Sequence, residues 1–91
     1  MSAGVVAGYP VVDVRVTVVG IGASAGGLKA LRDFFAAVPA DSGMAYVVIM
    51  HLDPGRESRI AAILQDCTPV PVVQVTGSTP VEADHVYVIP P

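Results

Sequence analysis

The 91-residue chain has a single cysteine, no tryptophan and only five basic residues. One cysteine cannot close an internal disulfide, so no covalent framework is available and nothing points to an oxidising compartment. Five lysines and arginines, scattered singly among eight acidic residues for a net charge of −3, argue against nucleic acid or an anionic membrane surface as partner. No apolar run reaches the roughly 20 residues needed to cross a bilayer. The first twelve residues have no positive start, and Asp13 and Arg15 follow at once, which speaks against a secretory signal and makes the cytoplasm the expected compartment. Charge is scarce at 14%, whereas 53% of the residues are hydrophobic, and intrinsic disorder needs the reverse balance. A chain this short makes at most one domain, burying roughly 63% of its extended surface, which is a marginal core.

What is present is an alternation of two periodicities. Val14 to Gly20 is β-branched and ends in glycine, as a strand feeding a turn would. Leu28, Leu31, Phe34, Phe35 and Val38 recur at helical spacing until Pro39 stops the pattern. Ala45 to Met50 reads as a second buried strand. Ile60, Ile63, Leu64 and Cys67 form another helical stripe, halted before Pro69 and Pro71. Val72 to Val75 and His85 to Ile89 are further short strands, separated by the turn-rich Gly77-Ser78-Thr79-Pro80. Continuous Val/Ile runs alternating with helices predict an α/β fold: three αβα layers around a mainly parallel, doubly wound, Rossmann-like sheet. The domain is expected over residues 14–91, with 1–13 as an extension.

In such sheets the chemistry sits outside the carboxyl ends of the strands. The residues in question are therefore Gly20 to Gly27 and His51 to Gly55. Three readings compete for the glycine-rich turn. As a dinucleotide fingerprint its spacing is G-x-G-x-x-x-G, and Met50 and His51 stand where a ribose-binding acid belongs. As a phosphate loop it fails, because no Gly-Lys-Ser/Thr follows. As a nucleophile elbow, Gly22-Ala23-Ser24-Ala25-Gly26 is G-x-S-x-G between a predicted strand and helix, where glycines let a serine stand exposed on a strained turn. Ser24 has an equally simple role as the helix N-cap. His51 shifts the balance, since it lies one crossover unit downstream and falls at the carboxyl end of a neighbouring or near-neighbouring strand. A hydroxyl and an imidazole within reach are the core of acyl-transfer catalysis.

Val19 to Leu28, the His51-Leu52-Asp53-Pro54 turn and His85 to Pro91, in this order and spacing, resemble the amino-terminal half of the chemotaxis receptor methylesterase (CheB-type) catalytic domain. The resemblance covers the chain from about Val14 to Pro91. It implies a protein-glutamate methylesterase acting on methylated chemoreceptors, with glutamine deamidation in many members. Ser24 matches the family nucleophile, His51 the family base, and Gly22, Gly26 and Gly27 the nucleophile turn; no cofactor and no metal is implied. The Ser-Ala-Gly-Gly form is most similar to domains joined to a methyltransferase and sensory modules. The family's aspartate lies in a Gly-Met-Gly-x-Asp-Gly segment that these residues do not contain, so the sheet is expected to be incomplete on its C-terminal side and the isolated chain nearly inactive. Met50 stands where glutamine is common, and Ala25 where many stand-alone members have threonine. The alternative from another class is a non-catalytic module whose Gly20–Gly27 turn cradles a phosphate at the helix start.

The remaining chemistry-bearing residues have plainer roles. Asp53 is expected to cap a helix starting near Pro54, and Glu82 and Asp84 to be solvated turn residues. Cys67, Met44 and Met50 fit core positions. His85 opens a strand with no partner at metal-ligand spacing. Arg56, Glu57 and Arg59 read as a solvated helix start.

Overall fold

The computed structural model describes residues 11–12, 15–51 and 57–89. In chain order the elements are β1 (Val11–Val12), β2 (Val18–Ser24), a 3-10 turn (Ala25–Gly27), α1 (Leu28–Ala36), β3 (Ala45–His51), α2 (Glu57–Gln65), β4 (Val72–Gln74), β5 (Pro80–Val81) and β6 (His85–Ile89). Four strands form one all-parallel sheet in the order β2-β3-β6-β4. β1 and β5 form a separate parallel pair, so Val11 and Val12, read as extension, are tied to Pro80 and Val81.

The α/β class and the parallel sheet match expectation, and His85–Ile89 has the expected bounds. The first long strand does not. The β-branched run predicts a strand ending at Gly20, but pairing runs from Val18 to Ser24. The partner explains the shift: all seven residues of β3 find a register mate, from Val18 opposite Ala45 to Ser24 opposite His51. Ladder hydrogen bonds thus outweigh the poor strand propensity of Gly20, Gly22 and Ala23.

Strand alternation divides the core in two. On one face Tyr46, Val48, Met50, Val86 and Val88 pack with Leu31 and Phe35 of α1, with Ile60 and Leu64 of α2, and with Val70. Both helices therefore cover the same face. Leu31 and Phe35 form the buried stripe of α1, which gives way to a turn before Pro39. Phe34, placed in that stripe by its spacing, is instead 43% exposed, meeting Phe35 and Tyr46 edge-on with ring centres 5.1 and 6.1 Å away. On the opposite face Ala45 and Tyr87 pack with Val75 and Val81 from the connection that carries β5. Beyond that cover Ile49 stands 44% exposed.

Two polar devices set the loops. The Gln65 side chain donates to the carbonyls of Thr68 (3.3 Å) and Val70 (3.0 Å) and accepts from the Val72 N–H (2.8 Å), turning the chain from α2 into β4. Asp84, expected to be merely solvated, adopts a left-handed backbone with φ 60°. Its carboxylate accepts from the Gly43 N–H at 2.7 Å, and its own N–H donates to the Met44 carbonyl at 2.8 Å. Gly43 has φ 79°, a conformation that favours glycine. This latch ties the start of β3 to the start of β6. The expected cap Asp53, with Pro54 and Arg56, lies outside the described residues. Arg59 is exposed. Cys67 is half-buried with its thiol on the Ile63 carbonyl at 3.3 Å. His85 Nδ1 lies 2.8 Å from the Ala83 carbonyl, so that nitrogen carries the proton, and the ring stacks on Tyr87.

Candidate active site

Ser24 is the last residue of β2 and is exposed at the carboxyl rim of the sheet. His51 is the last residue of β3 and is the register partner of Ser24. Neighbouring strands lie about 4.8 Å apart. The 27-residue separation thus closes into direct adjacency because β2, α1 and β3 form one crossover unit. Met50 is only 2% exposed within the helix-covered core.

The capping role expected as an alternative for Ser24 is not taken. The N-cap of α1 is Gly27, with no side-chain hydrogen bond to the helix start, because the 3-10 turn of Ala25–Gly27 intervenes. The hydroxyl is thereby left at the rim, and the first-turn N–H groups of α1 have no side-chain acceptor.

No positive φ marks the turn expected to expose Ser24. Among the described residues Asp84 is the one non-glycine with positive φ, and Gly43 the one such glycine. Ser24 therefore leaves the strand without a positive φ, and Gly22, Gly26 and Gly27 do not serve by left-handed freedom. Their surroundings differ. A Cβ added at Gly22 would meet nothing within 4 Å, and one at Gly26 would lie 3.9 Å from the Ser24 hydroxyl oxygen. One at Gly27 would lie 3.3 Å from the Ala23 Cβ, closer than ordinary packing. Ala23 carries no sequence signal beyond being a small residue next to the serine.

Beside Ser24 an open groove of about 540 Å³ runs between β2, at Val19, Ile21 and Ala23, and α1, at Ala30, Leu31 and Phe34. β2 is an edge strand, so the groove flanks its unpaired side. Among the described residues no cluster of His, Cys, Asp or Glu could hold a metal ion. No helix among them is long and apolar enough to cross a membrane.

Known proteins share the sequence pattern and the fold of this chain. Two curated relatives are protein-glutamate methylesterase/protein-glutamine glutaminases: one of Burkholderia lata, 39% identical over 83 residues, and one of Burkholderia orbicola, 43% identical over 65 residues. These matches cover 81% and 70% of this chain but only 24% and 19% of the relatives, so the chain spans about a quarter of their length or less. The solved CheB methylesterase catalytic domain of Thermotoga maritima has the same fold, with a TM-score of 0.68 at 24% identity over 82% of this chain and 40% of that one. The CheB methylesterase family matches residues 19–91, from the second residue of β2 to the end, and to that family this chain belongs.

Proposed function

We propose that this chain carries the nucleophile and base of a cytoplasmic protein-glutamate methylesterase, with methylated chemoreceptors as substrate and receptor glutamines as a second target. The observation that carries the reading is the register of Ser24 with His51 at the carboxyl ends of adjoining strands. The names of the relatives, which pair methylesterase with glutaminase, support the substrate class.

In this reading His51 takes the Ser24 proton as the hydroxyl oxygen attacks the γ-ester carbonyl. The tetrahedral intermediate collapses, methanol leaves with the proton returned by His51, and an acyl-enzyme remains. Water, deprotonated by the same imidazole, then releases the glutamate and restores the serine. The oxyanion would sit by the backbone N–H groups that follow Ser24, at the positive end of α1. A carboxylate that orients His51 would come from the family's Gly-Met-Gly-x-Asp-Gly segment, which is not among these residues. Asp84 and Glu82 flank the start of β6, at the far rim of the sheet from Ser24. Loss of the orienting acid in the Ser-His-Asp template lowers turnover about 10⁴-fold. Slow hydrolysis by the 91 residues alone is therefore expected.

A fluorophosphonate probe tests the pair without requiring full turnover. Ser24 is expected to be the labelled residue, and His51→Ala to reduce labelling at least tenfold. Labelling that survives Ser24→Ala, or that is indifferent to His51→Ala, refutes the reading. Ser24 is exposed, so its replacement should leave the melting transition unchanged.

A further inference from the structure

Gly27 raises a question that its backbone does not answer. It caps α1 with φ −90° and ψ 3°, angles open to any residue. A glycine in such a conformation gives up backbone order for nothing unless its missing side chain matters. What a side chain would meet is the Ala23 Cβ, 3.3 Å away.

Ala23 cannot readily give way. It lies inside β2, paired opposite Met50, and is packed against the helix-side core. The turn between them holds three residues, Ser24, Ala25 and Gly26, so the Ala23–Gly27 approach closes a tight loop whose first member is the candidate nucleophile. A methyl group at position 27 must lift the start of α1 off β2 by some tenths of an ångström. That movement displaces the N–H groups of the turn relative to the Ser24 hydroxyl. Reaction rates are sensitive to such displacements, a misplacement of 1 Å costing about 100-fold.

We propose that Gly27 is a positioning residue, serving through the space it leaves to Ala23 to set the distance between Ser24 and the amide groups at the start of α1. The structural half of this stands on the contact alone; the kinetic half rests on the serine reading above. The geometry also separates the two glycines, since a Cβ at Gly26 faces only the Ser24 hydroxyl oxygen at an ordinary 3.9 Å.

The test is a rescue in the 91-residue chain, comparing Gly27→Ala, Ala23→Gly, their double variant, and Gly26→Ala with and without Ala23→Gly. Gly27→Ala should shift the amide resonances of Ser24 to Leu28 and slow fluorophosphonate labelling about tenfold, scaling down the displacement effect. Adding Ala23→Gly should return both the resonances and the rate to within about twofold of the parent. Gly26→Ala should gain nothing from Ala23→Gly. Thermal melts confirm that every variant is folded. The proposal fails if Gly27→Ala leaves the resonances in place, or if the double variant is no better than the single one. A parent chain that takes no label refutes the serine reading instead, and the resonances alone then decide the spacer role.

Discussion

Tyr87 is buried on the face covered by the β5 connection, and its hydroxyl oxygen accepts the Glu82 N–H at 2.9 Å. Burial raises its pKa above the usual 10, Glu82's charge adds to the rise, and the hydrogen bond opposes it. The folded state therefore holds this proton longer than the unfolded chain does. The stabilisation is complete below pH 10 and is lost as pH climbs through 10 toward the raised value. Denaturant midpoints measured between pH 9 and 11.5 should fall more steeply for the parent than for Tyr87→Phe; equal slopes would contradict the assignment. At this same scale the sequence was informative where a side chain's role follows from strand order. Ser24 and His51 lie at the ends of consecutive strands of one crossover unit, so their adjacency was legible. The Asp84 latch was not, because a left-handed aspartate has no signature separate from any turn aspartate until its partner Gly43, 41 residues away, is known.

At the scale of elements, strand existence was legible and strand extent was not. β2 reaches Ser24 because β3 offers it a full ladder, a non-local fact that overrides local propensity. β5 was hidden in a turn-rich stretch, since two residues beginning with proline carry no periodicity. The joints between elements yield two further expectations. Gln65→Ala removes three hydrogen bonds at the α2–β4 joint and leaves the Val72 N–H without its partner. A loss of about 1–3 kcal/mol is expected by chemical denaturation, with Gln65→Glu intermediate because it keeps an acceptor but no donor. Asp84→Gly should be milder than Asp84→Ala, since both lose the Gly43 bond but only alanine is strained at φ 60°. An inverted order in urea midpoints would remove the left-handed backbone from the explanation.

For the molecule as a whole, cover is unequal. The helix side holds a closed core in which Phe35 is fully buried. Phe35→Ala should cost about 3–5 kcal/mol, enough to unfold much of a marginal domain at 37 °C. The other side leaves Val18 and Ile49 37% and 44% exposed, beside an edge strand with neither charge nor proline to guard it. The chain should bind a hydrophobic dye and self-associate with rising concentration, and the pair Val18→Thr with Ile49→Thr should weaken both in fluorescence and sedimentation. A sharply melting monomer indifferent to the dye would contradict this. The expected incompleteness of the sheet agrees with such openness, but that both helices settle on one side follows from β2 and β4 lying on opposite sides of β3, and neither this nor the entry point of β6 was legible in the sequence.

That entry point governs how the chain can be made. β6 follows β4 in sequence yet lies between β3 and β4. Until residues 85–89 leave the ribosome, β4 has no neighbour to join, and the β2–β3 pair faces water along a vacant flank. Assembly of these four strands therefore waits on residues 85–89, and a truncation before residue 85 would leave the β2–β3 pair and β4 unjoined instead of giving a narrower sheet.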